Sequence, residues 1–365
     1  MEQQWANRAA SAEAAIATRH FAPLWHLPGT QLGVCGWPPT RTERRFGSWN
    51  YWWQAHLLDC LVDAQVRDPQ PDRRTRINRQ LRGHRLRNTG RWVNDYYDDM
   101  AWLALAIERS GRLTGVGRPR ALRRLTNQFT DAWTPEHGGG IPWRKQDRFF
   151  NAPANGPAAI FLTRNKELRR AQLMADWIDA TLVDPETKLV FDGIKDGSMV
   201  RAQYTYCQGV VLGLETELAA RTRDQRHSQR VHRLVAAVHD HMAPGGVLKG
   251  TGGGDGGLFG GITARYLALV ATTLPGDTPD DKTARDSARE LVLTSARSAW
   301  DSRQTVAGLP LFGADWDKPA QVPKAGAAVS QFVQGAVSAS AVPERDMSVQ
   351  LSGWMLMEAA HVLTT

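Results

Sequence analysis

Cysteine is scarce in this chain: Cys35, Cys60 and Cys207 are the full set, odd in number and widely spaced. That excludes a disulfide-stapled scaffold, and no pair stands at a zinc-ligand spacing. Cys60 and Cys207 fall in apolar helical contexts and read as buried small hydrophobes of a reducing compartment. Long apolar runs are missing as well, with nothing near the roughly 18 residues that a membrane-crossing helix needs. The opening Met1-Glu2-Gln3-Gln4-Trp5 has neither a basic nor an apolar region, so no signal peptide is visible and a cytoplasmic location is expected. Alternating β-branched runs are almost absent, which argues against a strand-built fold. The glycine runs Gly138-Gly139-Gly140 and Gly252-Gly253-Gly254-Asp255-Gly256-Gly257 follow no strand and contain no Gly-Lys-Ser/Thr, so they are not phosphate loops. A Gly-x-Ser-x-Gly elbow is lacking too. His137 stands without a second His or Cys, and neither metal nor cofactor is expected. No Ser/Pro tract or charge block divides the chain, so residues 1–365 read as one catalytic domain.

What is present is helical periodicity. The 3.6-residue pattern predicts helices near 3–21, 50–67, 71–87, 98–110, 118–133, 153–163, 165–181, 203–221, 225–242, 259–273, 280–300 and 346–363, with a possible short piece at 327–338. The second, fourth and every later even-numbered helix is rich in aromatic, glycine and small residues; the others are Arg- and Ala-rich and one-sided. Such an alternation implies inner and outer layers. Six of each describe an all-α (α/α)6 barrel, with 301–345 as an insertion. The polar residues at inner-helix N-termini would then gather around one cleft. The glycine-dense connections 134–152, 183–202 and 243–258 are too long for tight turns and read as its walls.

The stretch Trp92-Val93-Asn94-Asp95-Tyr96-Tyr97-Asp98-Asp99-Met100-Ala101-Trp102 carries the densest chemistry. Two adjacent aspartates at the mouth of a helix repel each other and lower helix propensity. Each alone fits a first-turn acid facing the helix dipole. Together, among aromatic faces, they suit sugar chemistry, which needs an acid, a nucleophile or base, and stacking platforms. Carboxyls roughly 5–6 Å apart at a helix entrance fit a retaining rather than an inverting glycosidase. Repulsion would leave one ionised and one protonated. Asp95 reads either as a loop carboxylate that orients the pair or as a direct participant. Of Trp52 and Trp53, which point to different sides, one should pack in the core and the other stack on a sugar. Gln54, Asn151, Asn155, Asp192 and Gln208 suit sugar hydroxyls, with helix capping as the other reading of the two asparagines. Tyr97 and Tyr204 complete the expected substrate contacts.

The formal net charge is +8, and much of it comes from Arg73, Arg74, Arg76, Arg79, Arg82, Arg85, Arg87 and Arg91. No aromatic interleaves that run before Trp92, so it lacks the stacking platforms of a single-strand nucleic-acid binder. It reads as a solvated outer helix, with attraction to an anionic glycolipid or membrane surface left open. No nucleic-acid partner is expected, and a monomer is.

Several segments together resemble the glycoside hydrolase family 76 endo-α-1,6-mannanases, in particular an actinobacterial branch. They are Tyr51-Trp52-Trp53-Gln54-Ala55, Tyr96-Tyr97-Asp98-Asp99-Met100-Ala101-Trp102, Asn151-Ala152-Pro153-Ala154-Asn155-Gly156-Pro157, Tyr206-Cys207-Gln208-Gly209, the run from Asp255 to Leu267, and the run from Gln350 to Ala360. The resemblance implies an (α/α)6 barrel and retaining cleavage of α-1,6-mannan, such as the mannan backbone of lipomannan-type glycans. It also implies Asp98 as nucleophile and Asp99 as general acid/base. Gly260 and Cys207 depart from the family pattern, where Lys and Asn are frequent, so contacts at those positions do not carry over. The alternatives are a transglycosylase on the same scaffold and a non-catalytic mannan- or glycolipid-binding protein.

Overall fold

The computed structural model describes residues 2–134, 140–326, 328–333 and 335–365. In chain order its helices are α1 (Glu2–His20), α2 (Arg41–Arg44), α3 (Tyr51–Arg67), α4 (Pro71–Arg87), α5 (Tyr97–Thr114), α6 (Pro119–Asp131) and α7 (Ala152–Arg164). Then come α8 (Leu168–Leu182), α9 (Thr205–Thr222), α10 (Gln225–Met242), α11 (Phe259–Thr273), α12 (Pro279–Ser302) and α13 (Met347–Val362). All twelve predicted helices are present, and the one-turn α2 is additional. The protein is mostly helical, as its periodicity predicts.

Burial separates the two layers. In α7 every residue from Ala152 to Thr163 is buried, and in α13 every residue from Met347 to Ala360. In α6 only Ala121, Leu125 and Phe129 are buried, one residue per turn on a single stripe. Successive inner helices α3, α5, α7, α9, α11 and α13 touch in that order, and α13 returns to α3 to close the ring. Each outer helix packs on the inner helix before it, while α1 packs on α13. Helix ends follow local chemistry. Proline opens α4, α6 and α12, Thr278 and Asp281 form a capping box on α12, and Gly115 ends α5 at φ 74°.

The connections at the two ends of the barrel differ sharply. From an inner helix to the next outer one they run from two residues (223–224) to five (274–278). From an outer helix to the next inner one they run from nine residues (88–96) to forty-four (303–346).

These long connections hold short strands that the sequence does not announce. They are β1 (Phe21–Ala22), β2 (Leu32–Gly33), β3 (Phe149–Asn151), β4 (Gly193–Lys195), β5 (Ser198–Val200), β6 (Gln304–Val306), β7 (Leu309–Leu311), β8 (Phe332–Val333) and β9 (Ala336–Val337). All pair antiparallel, and β3–β4–β5 form a three-stranded sheet in which Asn151 faces Gly193. Strands of two or three residues are too short to show a period-2 pattern. Among the described residues of 327–338 the possible short helix does not form; β8 and β9 pair antiparallel there. Residues 135–139, including His137 and the first glycines of its run, lie outside the described residues.

Candidate active site

A cleft of about 840 Å³ opens at the N-terminal ends of the inner helices. Tyr51 and Trp52 enter it from α3, Asp98 and Asp99 from α5, Asn151 from the cap of α7, Tyr206 from α9 and Phe259 from α11. Loop residues Asp192, Thr251 and Asp255, and the β8–β9 hairpin, complete its walls. The three glycine-dense connections therefore contribute as predicted.

Asp98 and Asp99 lie in the first turn of α5, and both line the cleft. The backbone N–H of Asp99 donates to Asp98 Oδ1 at 2.8 Å, and Trp143 Nε1 donates to Asp98 Oδ2 at 2.8 Å. Asn94 Nδ2 donates to Asp99 Oδ2 at 2.6 Å. Burial pushes Asp98 up to about 7, opposed by its two N–H donors and reinforced by the charge of Asp255. Burial followed by the charge of Asp98 holds Asp99 well above the carboxylate range. With two N–H donors, Asp98 is thus the better-stabilised anion, while Asp99 is held towards its protonated form. One ionised and one protonated carboxyl on one helical turn can serve as nucleophile and acid.

A third carboxyl, Asp255, sits beside them. Its Oδ1 accepts Trp52 Nε1 and Trp53 Nε1, each at 2.9 Å, and its Oδ2 accepts the backbone N–H of Val337 at 2.6 Å. Burial raises it to about 6 against those three donors. It ties the α3 tryptophans to the β8–β9 hairpin. Asp192 lies across the cleft with Cys207 Sγ 3.9 Å away, and burial lifts it to about 7. Aromatic faces line the space between: Trp52 stacks on Trp102 at 6.4 Å and Tyr206 on Phe259 at 3.9 Å. Flat faces of this kind suit the apolar side of a pyranose ring.

Of the expected contacts, Trp52, Asp95, Asn151, Asp192 and Tyr204 line the cleft. Five others do not. Trp53 is fully buried, which makes it the core member of its pair. Tyr97 packs against the core, and Tyr96, the extended residue just before α5, reaches the cleft instead. Gln54, Asn155 and Gln208 are fully buried backbone clamps. The Gln54 amide holds both the N–H and C=O of Gly33, Asn155 those of Ile141, and Gln208 those of Val190. Asn151 caps α7 through the N–H of Ala154 while facing the cleft. Asp95 is exposed and bonds neither catalytic candidate; Asn94 performs the orienting expected of it. Trp143, Asn94 and Asp255 also line the cleft, and sequence patterning does not mark them. The signals were slight: a tryptophan in a glycine-dense loop, and a lone acid inside a glycine run. At Gly260, where Lys is frequent in the family the sequence resembles, a Cβ would lie 3.0 Å from the Trp316 ring, so that ring occupies the space.

A family model described as Glycosyl hydrolase family 76 matches residues 7–346. Among solved structures, the GH76A α-1,6-mannanase from Salegentibacter sp. HEL1_6 is 30% identical over 98% of this chain and 99% of that one, with a TM-score of 0.81. An inactive variant of that enzyme, with two consecutive aspartates changed to alanine, is in complex with α-1,6-mannotetrose. It is 29% identical over the same shares, also at TM-score 0.81. A protein of Listeria innocua is 25% identical over 98% of this chain and 96% of its own, at TM-score 0.80. No curated protein matches the chain. With the family model spanning nearly the full length and a barrel shared end to end, the chain belongs to glycosyl hydrolase family 76.

Proposed function

We propose that the protein is a retaining, endo-acting hydrolase of α-1,6-mannan, the mannan backbone of lipomannan-type glycans included, and that it works as a monomer. The observation that carries this reading is the placement of Asp98 and Asp99 on one turn of α5 at an aromatic cleft, each carboxyl held by its own N–H donors. A relative described as an α-1,6-mannanase, inactive when two consecutive aspartates are replaced, supports it.

In the first step a carboxylate oxygen of Asp98 attacks the anomeric carbon. The bond from that carbon to O6 of the leaving mannose breaks, and Asp99 donates its proton to O6. In the second, Asp99, now a carboxylate, takes a proton from water. The water oxygen displaces Asp98 from the anomeric carbon, and the configuration is retained. Trp143 and the Asp99 N–H hold Asp98 for the attack, and Asn94 holds Asp99.

Linear α-1,6-mannooligosaccharides should yield new reducing ends, and the first-formed product should have the α-anomeric configuration by proton NMR. Asp98→Asn and Asp99→Asn should each lower kcat by about a thousandfold or more. Wild-type rates in both variants would sink the site assignment. Internal cleavage predicts a spread of product lengths rather than mannose alone. Products that lengthen at high substrate concentration would mark interception of the intermediate by a sugar hydroxyl.

A further inference from the structure

The arginine run that ends at the cleft divides into two parts. Its first part is tied down: Arg73 pairs with Glu13 and Asp68, and Arg76 lies 3.7 Å from Glu13. Beyond it, Arg79, Arg82 and Arg85 are exposed and pair with no carboxylate among the described residues. Opposite them runs the loop 24–31. The carbonyl of Arg79 accepts the N–H of Gln31, and the Arg82 guanidinium reaches to 3.1 Å of where a Cβ of Gly29 would stand.

This loop carries apolar side chains outward. Trp25 is 49% exposed and Leu27 41%, and Leu86, which follows Arg85 on α4, is 37% exposed. Trp25 and His26 both hold left-handed backbone, at φ 47° and 60°, a conformation that disfavours any residue carrying a Cβ. The turn is secured by Trp25 Nε1 donating to the carbonyl of Arg45, and Arg87 lies over the Trp25 ring. A strained turn thus presents an indole to solvent amid unpaired cations.

We propose that this shoulder of the barrel, formed by the loop 24–31 and the exposed face of α4, docks on an anionic lipid surface beside the cleft mouth. Unpaired arginines supply the attraction to phosphate headgroups. The exposed Trp and Leu side chains supply what belongs at a bilayer interface and has no use in a purely aqueous polyanion. Arg87 and Asn88 line the cleft, so the docked shoulder is continuous with the active-site rim. The inference does not rest on the mannanase reading, since binding to vesicles is measured without sugar.

The test is sedimentation of the full chain with vesicles of equal parts phosphatidylglycerol and phosphatidylcholine, against phosphatidylcholine alone, at low and high salt. Binding should need the anionic lipid and weaken with salt. R79Q/R82Q/R85Q should weaken it by on the order of a hundredfold, about fivefold per arginine. Trp25→Ala with Leu27→Ser should weaken it at unchanged charge. Both variants should keep wild-type circular dichroism and wild-type activity on soluble substrate. Absence of vesicle binding, or binding untouched by either variant, would overturn the proposal. So would equal binding to soluble polyphosphate that ignores Trp25→Ala with Leu27→Ser, because the surface would then be a polyanion site.

Discussion

Asp98 and Asp99 share one helical turn yet meet different surroundings, and this makes their adjacency useful. Two N–H groups converge on Asp98, one from its neighbour's backbone and one from Trp143, forty-five residues away. Asp99 has the Asn94 amide and the field of an anion beside it. Trp143→Phe keeps the aromatic face and removes one donor to the ionised form of Asp98. If Asp98 is the proposed nucleophile, raised to about 7, the acidic limb of kcat/KM should therefore move up by about one pH unit. A pH–rate profile checks this; a limb that stays in place would assign it to another group. The aspartate pair is legible in the sequence because acids at a helix mouth next to an apolar run carry a visible cost. Trp143 and Asp255 are not legible, because their partners lie 45 and about 200 positions away and glycine-dense loops have no periodicity to place them.

At the level of elements, one device recurs. Gln54, Asn155, Gln208 and Gln350 each stand near the start of an inner helix, and each grips both backbone groups of one residue in the preceding connection. Each also donates to a second carbonyl: Trp49, Asn151, Tyr204 and Glu344 respectively. These amides fix where the long connections enter the barrel, so they set the cleft walls without lining the cleft themselves. Gln208→Leu would leave the N–H and C=O of Val190 buried and unpaired, at a cost of about 2–5 kcal/mol. Denaturant unfolding should show that loss, with Asp192, two residues along the same connection, displaced enough to lower activity on the remaining folded enzyme. A loss below about 0.5 kcal/mol would mean that water replaces the clamp. The alternation of inner and outer helices is readable because burial on all sides and burial on one stripe leave different compositions. The clamps are misread as sugar contacts because a buried amide among aromatics and glycines looks alike whether it holds a hydroxyl or a peptide.

Across the whole molecule, charge is handled in opposite ways at the two ends. Towards the short-turn end, Asp59 and Asp63 are bridged by Arg109 and Arg265, and Glu13 and Glu358 by Arg67. Arg109 and Arg265 overcome burial and hold Asp59 down at about 2. At the cleft end, Asp98, Asp99, Asp192 and Asp255 have no cationic partner within salt-bridge distance among the described residues, and all four are raised. An acid with a raised folded pKa costs no stability below its unfolded value near 4 and progressively more as pH climbs through the folded one. Asp192→Asn removes that cost. Its melting temperature should match wild type near pH 4 and exceed it by a few degrees above pH 7. The buried histidines His20, His56 and His84 titrate in both proteins and cancel in the difference. A gain that does not vary with pH would rule out ionisation as its origin.

The unequal lengths of the connections carry an evolutionary consequence. Turns of two to five residues at one end leave no slack for insertion, so heritable variation in length is channelled to the other. There a lineage can gain or lose whole hairpins while the twelve barrel helices keep their register. Relatives on this scaffold should diverge in the glycans they accept by remodelling one rim, with the first turn of α5 left in place.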